Sequence, residues 1–190
     1  MIRRLPLFPT LIVAAAVAVM IALGIWQLGR AQEKEALLTR YSAAATMSSA
    51  VPWPVTEEER DQALYRHSTI ACLEVLGMRE TAGRSVQGVP GWAHVARCRV
   101  PESGEAEVAL GWSQEPQGPA WEGGEVSGFL APAGEGVRLV ATPAQAGLEQ
   151  LAKPDPGDLP NNHLSYAVQW FCFALTAMVV YILALRRRQR

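Results

Sequence analysis

Apolar and polar positions divide this chain into two unbroken apolar stretches near its ends and an alternating middle. Leu5 to Leu28 contains no charged residue, and neither does Leu164 to Leu185. Helical residues rise about 1.5 Å each, so a stretch of this length reaches roughly 36 Å and crosses a hydrocarbon core of roughly 30 Å. A cleaved signal peptide is the competing reading of the first stretch, because Arg3 and Arg4 precede it. Its apolar run is too long for that, and it ends in Gly24-Ile25-Trp26-Gln27 in place of small residues. The second stretch runs directly into Arg186-Arg187-Arg188, the pattern of a stop-transfer segment.

Between these spans the punctuation changes along the chain. Gly29 to Tyr41 is rich in helix formers and predicts a helix continuing from the first span. Ser42 to Pro54 is rich in small residues and closes with Pro52-Trp53-Pro54, which predicts a linker. Glu57 to Leu64 predicts a short acidic helix, with Thr56 as N-cap and Glu59 completing a capping box. From there Gly and Pro bound short runs: His67 to Leu76, Trp92 to Val100, Ala106 to Trp112, Glu125 to Leu130 and Val137 to Ala141. Alternation in Val108, Leu110, Trp112 and in Val137, Leu139, Ala141 predicts strands with one buried face. Pro143 to Leu151 predicts a helical turn or two.

The expected fold class is therefore membrane α+β, two transmembrane helices flanking a small antiparallel β-rich domain, sheet or barrel-like, outside the cytoplasm. The expected segments are a first transmembrane helix at 5–28, a helical extension and linker at 29–64, the β-rich domain at 65–160, a second transmembrane helix at 164–185 and a basic tail at 186–190.

Charge orients this arrangement. The chain carries 17 Lys+Arg and 18 Asp+Glu. Six of the basic residues, Arg3, Arg4, Arg186, Arg187, Arg188 and Arg190, flank the spans on their outer sides, which leaves 11 against 18, or −7, in the middle. Basic residues near span ends stay in the cytoplasm, so both termini are expected there and the middle across the membrane. The acidic middle excludes nucleic-acid binding. Only Met1 to Arg4 precede the first span, too short for a mitochondrial presequence, so the expected location is a bacterial inner membrane with a periplasmic central domain.

Cys172 reads as a small apolar residue within the second span. Cys72 and Cys98 fall in predicted strands on the oxidising side, where either a disulfide or two buried thiols is open. No CxxC or His-Cys spacing supports a copper or zinc site. His67 and His94 read as surface or hydrogen-bonded histidines within strands. His163 stands where the second span enters the membrane, a position where an ionisable residue is a functional candidate or a structural cap.

The first span ends at Trp26-Gln27 and the second begins at Asn161-Asn162-His163, so the topology puts both segments at one depth. His163, Tyr166, Ala167 and Trp170 follow helical spacing and share a face: a nitrogen ligand, two aromatic rings and a small residue, suited to a haem. The alternative is that Trp26, Tyr166 and Trp170 are interfacial aromatic anchors, with Asn161 or Asn162 capping a helix.

Two motifs, Gly24-Ile25-Trp26-Gln27-x-x-Arg30-x-x-x-Lys34 and Asn161-Asn162-His163-Leu164-x-Tyr166-Ala167-x-x-Trp170-Phe171, resemble those of the Surfeit locus protein 1 family of cytochrome c oxidase assembly factors. Looser matches lie between them at Leu64-Tyr65-Arg66, Gly111-Trp112 and Val126-x-Gly128-x-Leu130. The resemblance implies a non-catalytic factor that binds haem a, received from haem a synthase, and aids its insertion into oxidase subunit I. It implies His163 as the ligand of haem iron, with Tyr166, Trp170, Trp26, Gln27 and Arg30 as neighbours; Arg30 suits a haem propionate or a topological anchor. Leu110-Gly111-Trp112 departs from the family's usual Arg-Gly-Trp. Competing readings are a membrane-anchored adaptor for respiratory-complex assembly that binds no haem, and a tethered hydrolase, for which no nucleophile motif such as GxSxG or HExxH is present.

Overall fold

A computed structural model describes residues 6–101, 104–134 and 136–189. Leu5, Arg3, Arg4 and Arg190, which figure in the expected span and charge pattern, lie outside the described residues. The chain forms two units, one of residues up to Leu38 with those from Leu159 onward, the other of Thr39–Asp158.

The first unit pairs most of α1 (Leu7–Ala45) with α3 (His163–Gln189). Both are long and apolar enough to cross a membrane, with mean hydropathy of 2.5 and 2.1 in their most apolar windows. Only 6% of either window is buried, so these are not core helices of a water-soluble domain. The less exposed positions of α1 include Thr10, Val13, Val17, Met20, Gly24, Gln27 and Ala31, spaced alternately by three and four. Those of α3 include His163, Ala167, Trp170, Ala174, Ala177 and Tyr181, with the same spacing. This is a heptad seam between antiparallel helices. Gly24 and Ala31 on one helix and Ala167, Ala174 and Ala177 on the other let the backbones approach, as in helix pairs that associate without a hydrophobic driving force. At Gly24 an added Cβ would lie 2.6 Å from Cε1 of Phe171. Near the other end the Tyr181 hydroxyl meets Thr10 Oγ1.

In the second unit, α2 (Glu57–Ala63) starts with the expected capping box: Thr56 Oγ1 accepts from Glu59 N, and the Glu59 carboxylate accepts from Thr56 N. Among the described residues seven strands form one sheet: β1 (Ala50–Val51), β2 (His67–Cys72), β3 (Glu74–Arg84), β4 (Pro90–Val100), β5 (Gly104–Ser113), β6 (Gly124–Ala133) and β7 (Gly136–Ala141). Their order is β1-β2-β6-β7-β5-β4-β3.

The sheet is mixed, which corrects the expectation of a purely antiparallel one. β1 runs parallel to β2, because α2 forms the crossover between them, and β5 runs parallel to β7. The ten residues between β5 and β6 are long enough to leave a strand position open, and the tight β6–β7 hairpin fills it.

Three further local differences have physical causes. The helix continues past Tyr41 to Ala45, and the stretch beyond it contains β1. The single run expected at His67 to Leu76 breaks at Leu73, whose N–H donates to Arg99 O, and β2 and β3 go to opposite parts of the sheet order. Alternation carries no mark of such a change of partner. Pro143 to Leu151 forms no helix. Its backbone bonds go instead to the sheet, with Trp112 and Glu149 exchanging both N–H···O bonds and Gln145 N donating to Leu110 O.

Cys72 in β2 and Cys98 in β4 are bridged, with Cα atoms 5.2 Å apart. The bridged strands are not neighbours in the sheet order, so the sheet curls around a core that includes Ile70, Cys98, Val108, Leu110, Val126, Leu130 and Leu139. Cross-links of this sequence separation, 26 residues, stabilise by about 3.5 kcal/mol in the chain-entropy account. Leu110 is fully buried in that core.

Candidate functional site

Asn162 O accepts the first helical bond of α3 from Tyr166 N, which leaves His163 at the helix's opening turn. His163 Nδ1 lies 2.7 Å from Gln27 Oε1 on α1. A carbonyl oxygen only accepts, so Nδ1 is the donor of this bond, and in the neutral imidazole the lone pair then belongs to Nε2. Nε2 has no hydrogen-bond partner among the described residues. This is how metal-ligating histidines are held, one ring N–H donated to an oxygen that fixes tautomer and orientation while the other nitrogen stays available. One turn further along the seam, Asn161 Nδ2 donates to Ala31 O at 3.4 Å, and its buried Oδ1 has no partner among the described residues. Asn161 thus ties α3's entry to α1 through its side chain.

The other sequence-predicted residues are arranged less tightly. Trp170 is half-buried on the seam and meets Phe173 edge to face, with centroids 6.1 Å apart. Tyr166 is 51% and Trp26 56% exposed, outside the helix contact. Ala167 is fully buried on the seam, so its small side chain serves helix packing. Arg30 donates to Glu33, one turn on, at 2.6 Å. The structure therefore brings His163 and Gln27 into direct contact and leaves Trp26, Tyr166 and Arg30 on exposed flanks.

In the second unit, His67 packs edge to face on Phe129, and His94 is fully buried with Nε2 2.7 Å from Ser113 Oγ. Ser113 donates its own proton to Glu115 O, so His94 is the donor of that bond and Ser113 is not an activated nucleophile. Gly118 covers the other face of His94, where Nδ1 has no partner among the described residues. No group of three or more His, Cys, Asp or Glu side chains gathers to hold a metal ion among the described residues.

Glu107 on β5 accepts from Arg79 at 2.7 and 2.8 Å and lies 3.3 Å from Arg138. Burial, and then the neighbouring Arg79, hold the Arg138 pKa below its ordinary value against the opposing pull of Glu107. Burial, followed by Tyr41, Asp155 and Asp158, pushes the Tyr65 phenol up. Tyr65 is also one of two non-glycine residues in the left-handed backbone region among the described residues, with φ of 64°.

Sequence reasoning missed the interhelical role of Asn161 and the contact of Gly24 with Phe171. The available signal was a pair of small residues seven apart on each predicted helix, Gly24 and Ala31 on the first and its extension, Ala167 and Ala174 on the second.

Residues 14–175 match the model of the SURF1 family. No curated protein matches the chain.

Proposed function

This chain belongs to the SURF1 family, and from that premise we propose that it is a membrane-anchored assembly factor that binds haem a as cargo and aids its insertion into subunit I of cytochrome c oxidase. The family is linked to cytochrome oxidase assembly and is one of assembly factors, not known as an enzyme family. The observation that carries the haem reading is the His163 Nδ1–Gln27 Oε1 bond, which orients the imidazole and leaves Nε2 as a ligand for haem iron. In this reading haem a synthase supplies the cargo and subunit I receives it. Trp170 and the exposed ring of Tyr166 offer apolar surface to the macrocycle or to lipid, and the exposed ring of Trp26 offers its own to lipid.

Both termini lie in the cytoplasm of a bacterial inner membrane in this reading, since Arg186-Arg187-Arg188 closes α3. The sheet unit then lies in the periplasm, an oxidising compartment consistent with the Cys72–Cys98 bridge.

A second reading is a haem-free adaptor for respiratory-complex assembly. It is favoured by the exposed flank positions of Trp26 and Tyr166, which suit aromatic anchors, and by the ion pair that occupies Arg30. The deciding measurement is the optical spectrum of protein purified from cells that synthesise haem a, comparing wild type with His163→Ala at matched membrane insertion. A haem a band lost in the variant is the expected result. A wild type without haem favours the adaptor, and a band unchanged in the variant places the ligand elsewhere.

A further inference from the structure

An open cleft of about 360 Å³ lies in the sheet unit beside Arg66, within the size range of small-molecule sites. Its walls are chiefly apolar, formed by Val51, Pro52, Trp53, Pro54 and Ala63, with Glu59, Gln62 and Arg66 as polar members. The Glu59 carboxylate is committed to the start of α2, accepting from Val55 N at 2.8 Å and Thr56 N at 3.1 Å. Gln62 donates to Glu58 at 3.3 Å.

Arg66 differs from most of the arginines in the strands. Arg79, Arg97, Arg99 and Arg138 each pair with a carboxylate. Arg66 pairs with none among the described residues. Its Nη2 donates to Ser49 Oγ at 2.8 Å and Ser49 O at 3.2 Å, and its buried Nε–H has no acceptor among the described residues. A guanidinium without counter-charge at the wall of an apolar cleft offers donors and charge that a ligand's acceptor can use.

The backbone that aims this side chain is itself strained. Tyr65 takes a φ of 64° while its N–H donates to Leu130 O and Leu130 N donates to Arg66 O. Strain that neighbouring contacts enforce is characteristic of ligand sites.

We propose that this cleft binds an amphipathic monocarboxylate of the free fatty acid class, its carboxylate on Arg66 and its chain on the Pro52-Trp53-Pro54 wall. Arginine matches a carboxylate in both charge and fork geometry, and the apolar wall beside it selects for a tail. The site uses none of the residues assigned to haem, so it stands or falls separately from that reading.

The test uses the full chain in lipid nanodiscs with ¹⁵N-labelled tryptophan, the Trp53 indole resonance being assigned with Trp53→Phe. Titration with octanoate is expected to shift that resonance saturably, with octanol and acetate binding at least about tenfold more weakly, as expected when each lacks one of two recognised groups. Arg66→Gln is expected to lower octanoate affinity to that of octanol. Gln62→Trp, a surface change that fills the cleft while leaving Arg66 in the sequence, is expected to abolish the shift. Unchanged resonances of the remaining tryptophans check that both variants fold. Absence of any octanoate shift, equal binding of octanol or acetate, or undiminished binding by either variant overturns the proposal. Tighter binding of an apolar peptide through its C-terminal carboxylate also overturns it, by assigning the cleft to a protein partner.

Discussion

Replacing Gln27 by leucine removes the acceptor of the 2.7 Å bond from His163 while keeping a side chain suited to a helix seam. Two terms add. Ligation to iron makes the Nδ1–H more acidic and strengthens its bond to Gln27, by an amount of the order of a hydrogen bond, about 0.5–1.5 kcal/mol. The freed imidazole must then be immobilised when it ligates iron, which costs about 0.5–1.5 kcal/mol more. The sum, about 1–3 kcal/mol, weakens haem affinity roughly 5- to 150-fold, which brackets the 10- to 100-fold usual for an outer partner of a ligating histidine. The assay is a titration of haem-free protein in nanodiscs, followed by difference absorbance in the Soret region. Gln27→Glu should retain affinity, because a carboxylate accepts the same proton. Trp26→Ala, which truncates an exposed ring beside the pair, should change affinity by no more than about 0.5 kcal/mol, roughly twofold. Wild-type affinity in Gln27→Leu would refute the assigned role of the His163–Gln27 bond. Equal losses in Gln27→Leu and Trp26→Ala would refute it too, by spreading the site over the flank.

Two further outcomes test the sheet unit. Gly128→Ala places a Cβ on the carbonyl oxygen of Val140 in the neighbouring strand. Relief requires β6 and β7 to separate where Gly128 opposes Ala141, at an overpacking cost of about 1–3 kcal/mol plus about 1–2 kcal/mol of weakened ladder bonds. Thermal unfolding followed by near-ultraviolet circular dichroism should show a fall of roughly 10 °C or more, whereas Gly77→Ala, with open space at its Cβ, should show none. The pKa of Glu59 lies below its ordinary value of 4.5, chiefly because Thr56 and Val55 donate backbone N–H groups to it. A lowered folded-state pKa contributes stability that is present above the unfolded value and lost as pH falls through the folded one. The stability difference between wild type and Glu59→Ala should therefore be full at neutral pH and shrink below about pH 4.5; a difference that stays constant down to acid pH contradicts the assignment.

What the sequence made legible was local or bounded by topology. The capping box of Thr56 and Glu59 lies within four residues, so no tertiary context was needed to find it. The meeting of Gln27 and His163 followed from antiparallel spans whose neighbouring ends must share a depth. The family resemblance carried by these two segments is borne out by the match over the chain. Helical spacing placed Tyr166 with His163, Ala167 and Trp170, but the observed seam follows a heptad, which keeps the last three and leaves Tyr166 on its flank. Arg30 had an acidic residue three positions on, and that local pairing occupies it. The parallel β5–β7 pairing, the break at Leu73 and the choice between bridged and free Cys72 and Cys98 depended on which strands become neighbours. Alternation reports a buried face and nothing about partners.

The strand order also sets a schedule for synthesis. β3, β4 and β5 are successive neighbours and can pair as soon as each emerges, whereas Ser68 of β2 waits for Gly128, sixty residues later. β7, made last, occupies the middle of the sheet. A chain halted before Gly136 therefore holds two half-sheets, β1-β2-β6 and β5-β4-β3, with facing unpaired edges, joined by the Cys72–Cys98 bridge and the core beside it. Such edges invite pairing with other chains. The six residues of β7 thus act as the keystone whose arrival converts an aggregation-prone nascent segment into a closed domain.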